Sequence, residues 1–570
     1  MKLILLLHIL LASHLLYAMS DLTLVKSFGK ALESTPSLAT GKVSKKTLKL
    51  ENIWNREGGA KEKLYEYLTK SEFDDGTKSE FDDGIIYDAQ KYLSNFLIEA
   101  YDTNNTKWMR EIASLYENLQ KNLTEANSIT FNYPVLPDEY FNTFTVFESG
   151  NGQPFIKLFR SAKSDIPKEP QAISLQTERK FKLWLNPPDS KHRLKSENII
   201  SSSQFLYAIS VIIHYAVKNN LENDEVFKRF IKNYYPIAMN DHYLRWILNR
   251  GIPVGTFQAK GWGCNSGNFS HKEHVENLKH KRYGTKYFKS CAPKAKGYCN
   301  AYQDKDGWIA LGVAHLMAAH KLKPSIIQIE DKTYDQLLSY LQSSLDLFSS
   351  RVDIEYSSSS ENAELMIFDR GGMYEHSGVK YSGYYEAEFP GQTETSSSIL
   401  APPAPKISWD ISHSRRFVNF FWSFDKIVES FELDFDHKYL RKAYANNLYY
   451  NTLQKRDETK GFIKDNVYFT NYLCGNDGWY RVNYACDKCI DGNMPADHYA
   501  GQDKYKKTPS LSKMALTGGQ AYFIRYNQLL NDPMKAMYEQ HIKATDEKSH
   551  VSNVVDELNS AASMPESFFK

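Results

Sequence analysis

Apolar residues return about every three or four positions over much of the chain, the repeat of a helix with one buried side. Thr333–Ser350 sets Leu337, Leu338, Leu341 and Leu345 in that register. Gln204–Lys218 is apolar nearly all round, as in a helix covered on several sides. Further helices are predicted over Asp224–Tyr235, Asp241–Arg250, Arg415–Ser430, His437–Gln454 and Gly518–Leu530, with Gly251 as a stop signal. Gly307–Lys321 carries Trp308, Ile309, Gly312, Leu316 and His320 along one side, with Asp306 placed as its N-cap. Between 131 and 195 the pattern changes. Ile129–Tyr133 and Lys180–Leu185 alternate like short strands among Pro and Gly, which predicts an irregular, partly extended insertion.

The first residues read differently. Lys2 precedes a nearly unbroken apolar run, Leu3–Leu16, and Ala18 suits the position before a cleavage site. That is the pattern of a secretory signal peptide over 1–18, and the run is shorter than the roughly 20 residues of a spanning helix. The longest later apolar stretch, Phe205–Val217, is also short for a span and holds His214. The expectation is a secreted or periplasmic protein without a membrane span.

The remaining chain divides into an N-terminal helical region (19–130), the insertion (131–195), a helical domain (196–545) and a polar tail (546–570) expected to lack order. Within the first region KSEFDDG occurs at 70–76 and again at 78–84. This acidic tandem repeat is expected in an exposed loop, since it lacks the spaced oxygen ligands of a calcium site. Pro402, Pro403 and Pro405 mark a long surface loop over 396–408.

Lys and Arg number 70 against 68 Asp and Glu, so no general attraction to nucleic acid is expected. Aromatic residues make up 14%, which leaves rings available for stacking on sugars as well as for the core. Six cysteines fall in two groups, Cys264, Cys291, Cys299 and Cys474, Cys486, Cys489. An even number in an exported chain reads as disulfides, and two odd groups can pair fully only through a bridge between them. Neither a zinc nor a redox context surrounds Cys486–Cys489, and no metal or cofactor is called for.

Paired helices with one largely apolar member predict a mainly α fold, an α/α toroid or incomplete toroid of helical hairpins with long loops. Asp306-Gly-Trp-Ile-Ala-Leu-Gly, Trp409-Asp-Ile-Ser-His-Ser-Arg-Arg-Phe-Val and Asn476-Asp-Gly-Trp-Tyr-Arg resemble the starts of inner toroid helices. In style they are similar to those of α/α-toroid polysaccharide lyases and glycoside hydrolases. The likeness spans about 200–540, and the Asn-Asn-His-Ser-Tyr-Trp type of motif of alginate lyases is missing. It implies a polysaccharide or oligosaccharide partner.

Three segments carry candidate chemistry. Gly371–Phe389 holds Glu375, His376, Tyr381 and Glu386 among glycines that let a loop approach a ligand closely. Asp410–Arg416 opens a helix: Asp410 or Ser412 can cap it, His413 and Arg416 share a face, and the helix N-terminus favours an anion. Asn471–Arg481 offers Asn476, Asp477, Trp479 and Arg481 to hydrogen-bond and stack on a sugar. A β-eliminating lyase needs a group to neutralise a uronate carboxylate (Arg416 or Asn476), a base (His376 or His413) and an acid (Tyr381). A hydrolase needs two carboxylates, Glu375 or Glu386 with Asp410 or Asp477. A non-catalytic glycan- or partner-binding protein needs neither. The abundance of His, Tyr and Arg favours the lyase, with the two best segments, 371–389 and 410–416, facing one cavity.

Overall fold

The computed structural model describes residues 43–69, 84–126, 141–150, 153–161, 171–174, 180–185, 197–248, 271–282, 302–358, 361–370, 408–411, 413–455, 467–470, 472–475, 515–539 and 551–569. The signal peptide, the acidic repeat, 371–389 and 476–481 lie outside them. Contacts divide the chain at 48/49; of the first part only residues 43–48 are described, where Ser44 Oγ caps the Thr47 amide at 3.0 Å.

Among the described residues the protein is mainly helical. Helix α1 is Lys45–Asn55, α2 Ala60–Thr69, α3 Gly84–Asp102 and α4 Thr106–Glu117. Strands β1 (Leu123–Ala126), β2 (Phe141–Gly150), β3 (Gln153–Ser161), β4 (Gln171–Ser174) and β5 (Phe181–Trp184) follow. β2, β3 and β4 form one antiparallel sheet, and β1 pairs with β5, Leu123 opposite Trp184. Then come α5 (Ile199–Lys218), α6 (Glu225–Pro236), α7 (Leu244–Leu248), α8 (His271–Arg282), α9 (Asp304–Leu322) and α10 (Asp331–Ser350). The hairpin β6–β7 (Val352–Tyr356, Glu364–Phe368) leads to α11 (Arg416–Ile427) and α12 (His437–Asn447). Strands β8 (Leu453–Lys455) and β9 (Val467–Phe469) pair, and α13 (Asn531–Tyr538) and α14 (Val551–Ser563) end the chain.

The core is built around α5 and α9, which pack along each other, with α3 and α11 against them. Asn198 caps α5 by accepting from the Ile200 amide at 3.1 Å, satisfying one of the donors a helix start leaves open. From Ser201 to Val217 every residue of α5 is buried. α5 is long and apolar enough to cross a membrane, yet in this fold it is a core helix. Two glycines of α9 permit close packing: a Cβ at Gly307 would fall on the Phe420 ring, and one at Gly312 on the Tyr243 hydroxyl.

Four expectations are corrected. Asp306 is not the N-cap of α9; the helix starts at Asp304, and the Asp306 carboxylate accepts from the Gln303 amide at 2.8 Å, closing the first turn from within. α12 passes at Asn447 into a π-helical turn, Leu448–Thr452, and stops two residues short of Gln454. Asn447 and Asn451 donate to the Leu473 carbonyl at 2.9 and 2.8 Å, and the Thr452 carbonyl accepts from Thr470, so the chain turns into β8. No helix covers 518–530; Gly519 at φ 91°, packed on the Asn95 amide, breaks it into 3-10 turns at Gln520–Arg525 and Gln528–Leu530. The polar tail contains α14, which buries Val554, Val555, Leu558 and Ala561 and packs on α2 and α3. Its Asn559 donates to the Tyr92 carbonyl at 2.8 Å and accepts from the Asn95 amide at 3.1 Å.

Candidate functional site

Residues 408–416 form a bent approach to α11. The Trp409 amide bonds to the Phe368 carbonyl at 3.2 Å, Asp410 forms a bridge with Tyr472, and Trp409 stacks on Phe417 at 5.5 Å. Asp410 is fully buried. Its Oδ1 accepts from the His413 amide at 2.9 Å and its Oδ2 meets His413 Nδ1 at 2.5 Å. So Asp410 caps a turn that precedes the helix, and α11 itself starts at Arg416. The His413 side chain keeps 21% of its surface open.

Arg415 and Arg416 reach across to α3. Their Nη2 atoms donate to the Tyr87 hydroxyl at 2.8 and 2.9 Å, and Arg416 also pairs with Asp304 Oδ2 of α9 at 2.7 Å. Burial opposes ionisation of the Tyr87 phenol, but the charges of Arg416 and Arg415 outweigh it and hold the phenol below the usual tyrosine range. Tyr116, Tyr207 and Tyr444 go the other way, pushed up by burial. The arginines thus ease ionisation of Tyr87 relative to the other buried tyrosines.

A narrow crevice of about 30 Å³ opens beside this cluster between α3, α5, α9, α11 and α14. Lys91, Arg415 and Arg416 line it against one acid, Asp556, so it favours an anion. Gln90, Gln204 and Trp308 also line it, each 2% exposed. Gln90 Nε2, Gln204 Oε1 and Trp308 Nε1 have no hydrogen-bond partner among the described residues. The other amide group of Gln204 is fixed, donating to the Tyr87 carbonyl at 3.1 Å. Trp308 is held by a tilted Tyr207 and an edge-on Phe420, with centroids 4.9 and 5.0 Å away. Buried polar atoms left open cost about 1–3 kcal/mol each unless water or a ligand completes them.

Of the residues predicted from sequence, Asp410, His413 and Arg416 lie together on one turn, though Arg416 pairs with Asp304 and Tyr87 while His413 pairs with Asp410. Glu375, His376, Tyr381, Asn476, Trp479 and Arg481 lie outside the described residues, as do Cys264, Cys291, Cys299, Cys486 and Cys489. Cys474 is half-buried and has no disulfide partner among the described residues. Sequence reasoning missed Tyr87, Gln90, Gln204, Asp304 and the role of Arg415. The doubled arginine at the head of a helix was a visible signal; an isolated tyrosine in the apolar run Ile85-Ile86-Tyr87 was not. No protein family, curated protein or solved structure matches this chain.

Proposed function

We propose that the protein is a secreted carbohydrate-active enzyme that cleaves an acidic glycan by β-elimination. The observation that carries this reading is the Tyr87 phenol held by two arginines beside a cationic cleft with open buried donors. A uronate carboxylate fits against Arg415 and Arg416, with Gln90 Nε2 and Trp308 Nε1 as further donors. Neutralising that carboxylate acidifies the proton on the adjacent ring carbon, C5. Tyr87 as phenolate, or His413, takes that proton. The electron pair forms the C4=C5 double bond, the C4–O bond breaks, and the departing oxygen takes a proton from the partner group. Asp304 and Asp410 are engaged with Arg416 and His413 and serve as positioning carboxylates.

The helical hairpins around α5 and α9 are read as an incomplete α/α toroid with this cleft at one mouth. The leader over 1–18 directs export, and a disulfide joins 264–299 to 474–489. Peptide mapping of secreted protein under non-reducing conditions checks both, through an N-terminus near Met19 and a cross-linked pair.

The test of the reaction is incubation with defined acidic polysaccharides, following ultraviolet absorbance of unsaturated ends together with reducing ends. Elimination gives both signals in step, and Tyr87→Phe lowers turnover by roughly 10²–10⁴-fold. Reducing ends without unsaturation mean hydrolysis. Binding without either signal leaves the cleft a receptor site.

A further inference from the structure

A second groove of about 590 Å³ lies between the β6–β7 hairpin, α12 and the turn at 526–529, and it shares no lining residue with the cleft. Its walls carry Tyr356, Tyr439, Tyr450 and Tyr526, with Asn446 and Asn527 between them. Tyr356 and Tyr439 are 60% and 37% exposed, which no demand of the core explains.

The groove is fixed rather than loose. The Arg441 guanidinium stacks 3.8 Å over the Tyr526 ring, and Tyr449 stands at 90° to Tyr450 at 4.9 Å. Asn527 donates to the Asn446 side chain at 3.2 Å, and Asn446 donates to the Glu364 carbonyl at 3.1 Å. Glu361 accepts from the Tyr450 hydroxyl. The walls therefore alternate rigid aromatic faces with oriented carboxamides and carboxylate oxygens. Two acids, Glu361 and Glu364, face one base, Lys442, the opposite bias to the cleft.

We propose that this groove is a second, non-catalytic site that holds a neutral glycan strand. Sugar rings offer flat C–H faces that rest on tyrosine, and each ring edge carries hydroxyls that both donate and accept. Oriented Asn and Glu groups match those hydroxyls, and tyrosine supplies contact area at low conformational cost. The acidic bias repels a polyanion, so the strand held here differs in charge from the one handled at the cleft. The groove then tethers the protein to neutral polysaccharide while the cleft works on an acidic neighbour.

Affinity electrophoresis and calorimetry with the full chain test this, using cello-, laminari- and malto-oligosaccharides as neutral probes and polygalacturonate as the acidic one. At least one neutral series should bind. Tyr356→Ala combined with Tyr439→Ala should weaken it by roughly tenfold or more. Both side chains are surface groups, so the fold is retained, and circular dichroism confirms it. Arg416→Ala should leave neutral binding unchanged, which separates this site from the cleft reading. Three results overturn the proposal: no binding of any neutral series, binding indifferent to the tyrosine pair, or polygalacturonate binding that the tyrosine pair abolishes.

Discussion

Acid should destabilise this protein well above the pH at which its carboxylates titrate, and the pair His214–His315 sets much of the effect. The two rings meet across α5 and α9 with Nδ1 atoms 3.0 Å apart. His315 Nε2 lies 3.1 Å from Ser423 Oγ, which is 2.9 Å from the Tyr207 hydroxyl, and the Tyr101 hydroxyl is 3.4 Å from His214. A Nδ1–Nδ1 hydrogen bond needs one donor and one acceptor, so a proton on both rings breaks it. Burial, helped by Lys218, pushes His214 down to about 3, and burial, helped by His214, pushes His315 well below the ordinary value. The unfolded chain binds these protons near pH 6.5 and the folded one does not. Stability is therefore full above about pH 7.5 and falls as the pH drops through about 6.5 toward the folded-state values. Each histidine contributes about 1.4 kcal/mol per pH unit below its unfolded pKa, so the pair loses about 2.7 kcal/mol between about pH 7.5 and 5.5. His242, His271 and His274 shift in the same direction through burial and steepen the fall by up to about 4 kcal/mol more. Urea unfolding across that range measures the slope. His214→Gln with His315→Gln lowers absolute stability but should flatten the fall by about 2.7 kcal/mol. A double variant with the wild-type slope refutes the reasoning.

Glu197→Gln should cost about 3–5 kcal/mol in chemical denaturation, because Arg245 Nη2 meets both Glu197 oxygens, at 2.6 and 2.8 Å, where neither side chain is exposed. Gly312→Ala should destabilise by about 1–3 kcal/mol despite alanine's better helix propensity, since its Cβ meets the Tyr243 hydroxyl, which lies 3.2 Å from Ser210; a raised melting temperature would contradict that packing. Arg416→Ala should remove the Asp304 ion pair and bring the Tyr87 phenol back toward ordinary acidity, seen as a rise in its titration midpoint by ultraviolet difference spectroscopy against Tyr87→Phe as a blank.

Helices that bury one face wrote themselves into the chain: Asp331–Ser350 and Glu225–Pro236 follow the leucine and aromatic spacing to within a residue or two, and the saturated apolar run of α5 announced a helix covered on all sides. These are local properties, set by side-chain period and by caps such as Asn198 and Asp224. What ends α12 was not legible, because it depends on the Leu473 carbonyl supplied from a distant strand connection. Nor was the order of α14, whose apolar residues are few and gain a surface only when α3 is beside them. For the same reason half of the site could be named in advance and half could not. Asp410, His413 and Arg416 are neighbours in sequence, so their turn showed in the residue types. Tyr87, Gln90, Gln204, Asp304 and Trp308 come from three other helices, and only the packing of α3, α5 and α9 on α11 brings Gln90, Gln204 and Trp308 to one cleft with Arg416 and sets Tyr87 and Asp304 against the arginine that lowers the tyrosine's pKa. A pattern of residues determines which face a helix buries; which distant side chains meet across that face is decided by long-range packing.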